Sequence, residues 1–274
     1  MRILMSMLLS LLIAASVQAG EIPDVLRVSA IPDENPNELL RIYQPFADYL
    51  SRELGMKVKF TPVIDYAATV EALVAKKLDL VWYGGFTSVQ AVKRSNGNAT
   101  RLVMREEDAV FKSVFVTRPD TGIKALEDLK GRTFSFGSIS STSGHLMPRH
   151  FLLKHGINPE RDMKEVAFSG AHDATALWVK SGKVDAGALN FLVWNKLVKN
   201  KTVDTSKVVV FWTTPPYVDY VWTIRDIDKG LQERITSAFL KLDDENPKHR
   251  RLLDLHRTRK YIRAHDEDWK GIEE

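Results

Sequence analysis

Apolar positions along the chain switch repeatedly between a period of two and a period of three to four. Val25-Leu26-Arg27-Val28-Ser29 alternates like a strand, whereas Leu39, Leu40, Tyr43, Phe46, Ala47 and Leu50 recur at helical spacing until Gly55. Lys57–Phe60 predicts a second strand, Asp65 caps a helix over Tyr66–Lys76, and Leu78–Tyr83 reads as a buried strand running into Gly84-Gly85. A helix over Phe86–Lys93, a turn at Ser95-Asn96-Gly97-Asn98 and strands at Leu102–Arg105 and Ser113–Thr117 follow. After the turn Pro119-Asp120-Thr121-Gly122 the alternation restarts. It predicts a helix at Leu126–Leu129, a strand at Thr133–Phe136, a helix ending at Gly156, a strand at Glu165–Phe168, a helix over Asp173–Lys180 and a strand at Val184–Leu189. Lys207–Trp212 and Val218–Ile224 read as strands on either side of Pro215-Pro216, and from about Asp228 the pattern predicts helices broken at Asn246-Pro247. Strands alternating with helices in this way imply parallel βαβ units and an α/β fold.

The two halves echo each other. Ala72-Leu73-Val74-Ala75-Lys76 before Leu78-Asp79-Leu80 matches Ala176-Leu177-Trp178-Val179-Lys180 before Val184-Asp185-Ala186. Two doubly wound lobes account for the echo, as does the general likeness of α/β units. Ligands of such sheets bind beyond the carboxyl ends of the strands. Tyr83 with Gly84-Gly85, the Ser141-Thr142-Ser143 loop and Leu189-Asn190 all stand at such ends, so they are expected to meet at one cleft.

Charge and composition narrow the functional classes. Of 274 residues, 44% are hydrophobic and 27% charged, as in ordinary globular chains. The net charge is only +4, and the most basic run, Lys248-His249-Arg250-Arg251, suits a solvated helix face better than a nucleic-acid contact. Arg2, the apolar run Ile3–Val17 and the small residues of Val17-Gln18-Ala19 read as an export signal cleaved before Gly20, which lowers the charge to +3. The absence of cysteine removes disulfides, thiolate metal sites and cysteine nucleophiles.

Candidate chemistry concentrates in Phe136-Gly137-Ser138-Ile139-Ser140-Ser141-Thr142-Ser143-Gly144-His145. Hydroxyls gathered at a helix start serve as an N-cap or, with the free N–H groups there, as an anion cradle. His145, His150 and His155 are spaced by five, which turns neighbours away from a shared metal. No Gly-x-Ser-x-Gly elbow, Ser-x-x-Lys pair or phosphate loop is present. Two functions remain: a binding module for a small tetrahedral oxyanion, or a secreted phosphate-ester hydrolase, with a detached sensory lobe as a weaker third. Neither metal nor cofactor is expected.

Ile42-Tyr43-Gln44-Pro45-Phe46-Ala47-Asp48-Tyr49-Leu50, Asp65-Tyr66, Leu78–Gly85, Ser141–Gly144 and Gly170-Ala171-His172-Asp173 resemble the phosphonate/phosphite/phosphate substrate-binding proteins of ABC transporters. Tyr83–Gln90 is most similar to the selenate-binding branch. The resemblance implies a type II periplasmic binding protein, with lobe 1 formed by residues 20–111 and 215–274, lobe 2 by 112–214, and a two-strand hinge near Lys112–Val116 and Val210–Thr214. It also implies a periplasmic monomer, without enzymatic activity, that delivers its oxyanion to an inner-membrane ABC permease. Ser141, Thr142 and Ser143 match the family's hydroxyl triplet, and Tyr83 and His172 are expected to complete the cage. Asn190 joins them as an amide donor at the strand end. Because the segment Ala186–Val203 contains no Asp or Glu, a cage of donors alone is expected, favouring selenate or sulfate over phosphate; Asp33, Glu34 or Asp65 entering the cleft from the first lobe would reverse that preference.

Overall fold

The computed structural model describes residues 20–274. The export signal expected over 1–19 lies outside them. In chain order the elements are β1 (Val25–Ala30), α1 (Pro36–Leu54), β2 (Lys57–Phe60), α2 (Tyr66–Val74), β3 (Leu80–Tyr83), α3 (Gly85–Arg94), β4 (Ala99–Arg105) and β5 (Ser113–Thr117). Next come β6 (Thr133–Phe136), α4 (Met147–Lys154), α5 (Pro159–Asp162), β7 (Glu165–Phe168), α6 (His172–Ser181), β8 (Ala186–Asn190), α7 (Phe191–Lys199) and β9 (Val209–Thr213). The last are β10 (Val221–Arg225), α8 (Lys229–Leu240), α9 (Pro247–His256), β11 (Tyr261–Arg263) and α10 (Lys270–Glu273).

The strands form two sheets, in the orders β11-β4-β10-β3-β1-β2 and β7-β6-β8-β5-β9. In the first, β1 runs parallel to β2 and β3 while β10 is antiparallel to β3 and β4; in the second, β6 runs parallel to β7 and β8 while β5 is antiparallel to β8 and β9. The chain leaves the first sheet after Arg105, enters the second at Ser113, and returns between Thr213 and Val221. At the crossing Phe111 and Tyr217 exchange both backbone hydrogen bonds, and the Asp219 N–H donates to the Asp108 carbonyl.

Alternation explains how the second sheet is covered on both faces. Val114 and Val116 join Leu189, Val193 and Trp194 in one cluster, while Phe115 joins Phe134, Phe136 and Leu152 in another. The first sheet carries one larger core in which Phe46, Trp82, Trp222 and Phe239 are fully or almost fully buried.

The sequence echo has a structural counterpart. Asp79, just before β3, accepts the Arg27 N–H of the neighbouring β1 at 2.7 Å; Asp185, just before β8, accepts the Thr133 N–H of the neighbouring β6 at 2.9 Å. Each aspartate stitches its strand to the start of a parallel partner. α8 and α9 stand where helices are expected, broken at Asn246-Pro247, but the stretch after α9 departs from that expectation. Tyr261–Arg263 instead pairs with β4 as an edge strand, since three residues are too few to show a period, and a short 3-10 turn at Asp266–Trp269 leads into α10.

Candidate functional site

Segments from several parts of the chain meet between the sheets. From the second lobe comes the turn Thr142–Leu146, which runs with i→i+5 hydrogen bonds directly into α4. Ser141 caps it by accepting the Gly144 N–H at 2.9 Å. Gly144 is required there: a Cβ would stand 2.9 Å from Ser141 Oγ and 3.0 Å from His172 Cε1. Apart from the capped Gly144, the first N–H groups of a helical turn have no partner within it, and their dipoles favour an anion.

The hydroxyl triplet is buried, and its members differ in what they already hold. Thr142 Oγ1 accepts the Phe86 N–H from the start of α3 at 2.9 Å, a bond between lobes that leaves its own proton free. Ser143 donates no side-chain hydrogen bond and accepts none, although its carbonyl takes the Ser113 hydroxyl at 2.7 Å. Ser113 therefore accepts from Tyr217, whose hydroxyl lies 2.6 Å away.

Across the cleft stands Asp219, fully buried on the returning segment. One carboxylate oxygen accepts the Gly85 N–H at 2.9 Å; the other has no partner. Burial pushes this acid up to about 7, against the opposing pull of Gly85 and of the nearby Thr142 and Ser143 hydroxyls. Tyr66, at the start of α2, also keeps an unpaired hydroxyl; it lies beside Ser141, and burial, reinforced by the charges of Asp33 and Asp219, holds its proton in place. An unpaired buried polar atom costs about 1–3 kcal/mol. Tyr66, Ser143 and Asp219 supply three such atoms, two from hydroxyls and one from a carboxylate. Gly84 lies between the lobes here: a Cβ would meet Thr142 Oγ1 at 3.0 Å, Asp219 Oδ1 at 3.3 Å and the Ile31 side chain at 3.6 Å.

His172 opens α6 and is fully buried. Its Nδ1 accepts the Asn190 N–H at 3.3 Å, which assigns the ring proton to Nε2, 3.2 Å from the Tyr220 hydroxyl. Burial, with the Arg257 charge, pushes this histidine down to about 3, so it is a neutral donor. Asn190 caps α7 through the Leu192 and Val193 N–H groups and donates its amide to Tyr220 at 2.9 Å. Asp33 completes this side. Its carbonyl accepts the His172 N–H, and burial raises its carboxyl to about 6 despite Arg257 and Arg105. Beyond it Glu34 pairs with Arg257 of its own lobe and with Lys196 of the other.

The structure thus brings Ser141, Thr142, Ser143, His172 and Asn190 to one place. Tyr83 is elsewhere. Its hydroxyl donates to the Thr69 carbonyl at 2.7 Å, inside the packing of β3 against α2. Strand alternation decides this: Trp82 turns to the cleft side, stacked on Tyr220, so its neighbour turns away. The tyrosines at the cleft are Tyr66, Tyr217 and Tyr220. Asp219, which sequence reasoning missed, overturns the expectation of a cage without an acid: it stands on the returning segment, whereas the first-lobe acids that the sequence offered as able to reach the cleft were Asp33, Glu34 and Asp65. Among the described residues no group of three His, Cys, Asp or Glu is placed to hold a metal ion, and no helix is long and apolar enough to cross a membrane. His145 donates to the Ile139 carbonyl and accepts from Arg149, while His150 and His155 are exposed.

The model of the family described as "ABC transporter, phosphonate, periplasmic substrate-binding protein" matches residues 28–269. The chain belongs to this family. The probable ABC transporter phosphite binding protein PhnD1 of Prochlorococcus marinus (strain MIT 9301) is 41% identical over 264 residues, covering 92% of this chain and 89% of that protein. The phosphate-import protein PhnD of Mycolicibacterium smegmatis is 29% identical over 77% of this chain and 69% of its own length. The solved structure of the Prochlorococcus PhnD1 in complex with methylphosphonate superimposes with a TM-score of 0.88 at 39% identity, covering 92% of this chain and 97% of that one. The two-lobed architecture is therefore that of a type II periplasmic binding protein, and the family is that of the substrate-binding components of ABC importers.

Proposed function

We propose that the chain captures a small phosphonate or phosphite in the periplasm and presents it to an ABC permease without altering it. One observation carries the reading: the unpaired Asp219 oxygen stands opposite the hydroxyls and helix-start amides of the Ser141–Gly144 turn. A singly protonated phosphoryl group needs that combination, since its ionised oxygens accept while its P–O–H donates. Ser143, Tyr66 and the helix-start amides would serve the first need, with His172 holding Tyr220 and Asn190 in place behind them, and Asp219 the second. Selenate and sulfate carry no proton at neutral pH, so they would set an anionic oxygen against the ionised form of Asp219 and would fit only its protonated form, which is lost as the pH rises through about 7. The preference is therefore for the protonated oxyanion, the reverse of what the acid-free second-lobe segment suggests. Ile31 supports a P–H or P–CH3 group on the apolar side.

Binding without turnover is favoured by the histidine. Both ring nitrogens of His172 are engaged, by Asn190 and Tyr220, and neither is positioned to take a serine proton. We further read residues 20–111 with 215–274 as one lobe and 112–214 as the other, hinged near Lys112–Val116 and Val210–Thr214, with the leader removed after Ala19.

Calorimetric titration at pH 7 with methylphosphonate, phosphite, phosphate, sulfate and selenate tests the assignment. Methylphosphonate or phosphite should bind at least about tenfold more tightly than selenate and sulfate, a difference of ~1.4 kcal/mol. Tighter selenate binding, or release of a cleaved product, would overturn it.

A further inference from the structure

Asp219 lies between the Tyr217 bridge and β10, outside any regular strand, so the direction of its carboxylate depends on a few contacts. Three hydrogen bonds fix the residue. Its N–H donates to the Asp108 carbonyl at 3.0 Å, its carboxylate accepts the Gly85 N–H at 2.9 Å, and its carbonyl accepts the indole N–H of Trp269 at 3.1 Å. Trp269 bears on the second bond as well. A Cβ added to Gly85 would stand 3.1 Å from Trp269 Nε1 and 3.2 Å from its Cδ1, so the indole lies directly against the backbone that offers the Gly85 N–H.

The indole is itself clamped. It is fully buried, and the guanidinium of Arg101 sits 5.0 Å from its ring centre. Arg101 holds both ends of the C-terminal segment, through Asp266 at 2.9 Å and Glu273 at 3.3 Å, and reaches Ser88 of α3 at 3.0 Å. The last residues of the chain are thus strapped over the helix whose first amides touch Asp219 and Thr142.

We infer that Trp269 is a positioning residue for oxyanion recognition: through its indole N–H and its contact with Gly85 it aims the free Asp219 oxygen at the protonated oxygen of the ligand. The C-terminal segment then sets the discrimination between protonated and fully ionised oxyanions, although none of it lies in the cleft. This rests on the reading of Asp219 as the acceptor.

The test is a cycle of Trp269→Phe, Asp219→Asn and the double variant, titrated with methylphosphonate and with sulfate between pH 6 and 8.5, with circular dichroism and thermal melts to establish folding. Trp269→Phe keeps an aromatic ring, smaller than the indole, and removes the donor. It should weaken methylphosphonate binding about tenfold, leave sulfate binding unchanged and change the pH profile in the same sense as Asp219→Asn. The double variant should be no weaker than Asp219→Asn alone, because the two residues act through one contact. If Trp269→Phe does not fold, Gly85→Ala, which displaces the indole from the other side, takes its place in the cycle. Fully additive losses, or a Trp269→Phe protein with wild-type affinity and pH profile beside an impaired Asp219→Asn, overturn the inference alone. An Asp219→Asn protein that binds methylphosphonate like wild type overturns both it and the reading it rests on.

Discussion

An acid buried with one oxygen bonded and the other free is a proton store as well as a contact. In the unfolded chain Asp219 would be ionised above about pH 4. In the folded protein it keeps its proton up to about 7. The folded state therefore binds the extra proton between these values, and this contribution to stability is present at low pH and lost as the pH rises through the window. Urea unfolding at pH 5 and pH 8 should show Asp219→Asn gaining on wild type by at least ~1.4 kcal/mol at the higher pH, the equivalent of one pKa unit. An unchanged difference would mean that the carboxylate is solvated. Sequence reasoning found the hydroxyl triplet and His172 because a helix start leaves a signature in neighbouring residues. Asp219 has none: Val218-Asp219-Tyr220 reads as the edge of a strand, and its partners are 134 and 50 residues away. The expectation that Tyr83 completes the cage failed for a different reason, since the direction of one side chain in a four-residue strand depends on register, which the pattern does not fix.

At the level of elements, the repeated aspartate was legible as a sequence echo, and its structural role explains why. Asp79 takes the Arg27 N–H and guanidinium and the Arg225 guanidinium, binding β1, β3 and β10 together. Burial works against its charge, yet these hydrogen bonds hold it below the ordinary carboxylate range. Asp79→Ala would leave the buried Arg225 with the exposed Glu21 as its ion-pair partner and the Asp226 carbonyl as a further acceptor, and removing one member of a buried pair costs about 3–5 kcal/mol. A fall of that size in unfolding free energy is expected, with folding of the second sheet unaffected in hydrogen exchange; a loss below ~1 kcal/mol would deny Asp79 this role. The edge strand Tyr261–Arg263 and the Asp266–Trp269 turn were not legible, because neither is long enough to show a period and both are fixed by distant contacts, with β4 and with α3.

For the molecule as a whole, the lobes meet through contacts that ignore the ligand's chemistry. Lys196 reaches from α7 to Glu34 and Glu38 of the opposite lobe, and the Asn35 N–H and side chain reach Asp173. Lys196→Met should weaken methylphosphonate, phosphite and phosphate by the same factor, about five- to thirtyfold for roughly 1–2 kcal/mol of lost closure. Calorimetry with all three would show it, and a change in their ranking would count against a pure closing contact. Glu34 keeps Arg257, so the loss stays below that of an orphaned charge.

Such ligand-blind contacts raise a difficulty for any shuttle: a shell that snaps shut on nothing would deliver a false signal to its docking partner. The unsatisfied atoms of Tyr66, Ser143 and Asp219 act as the error check. At about 1–3 kcal/mol each, they bias the vacant shell toward opening by roughly two to six decades, at ~1.4 kcal/mol per decade. Cargo that fits removes the bias, and cargo of the wrong protonation state removes only part of it. A permease that senses nothing but shape would therefore be reading chemistry.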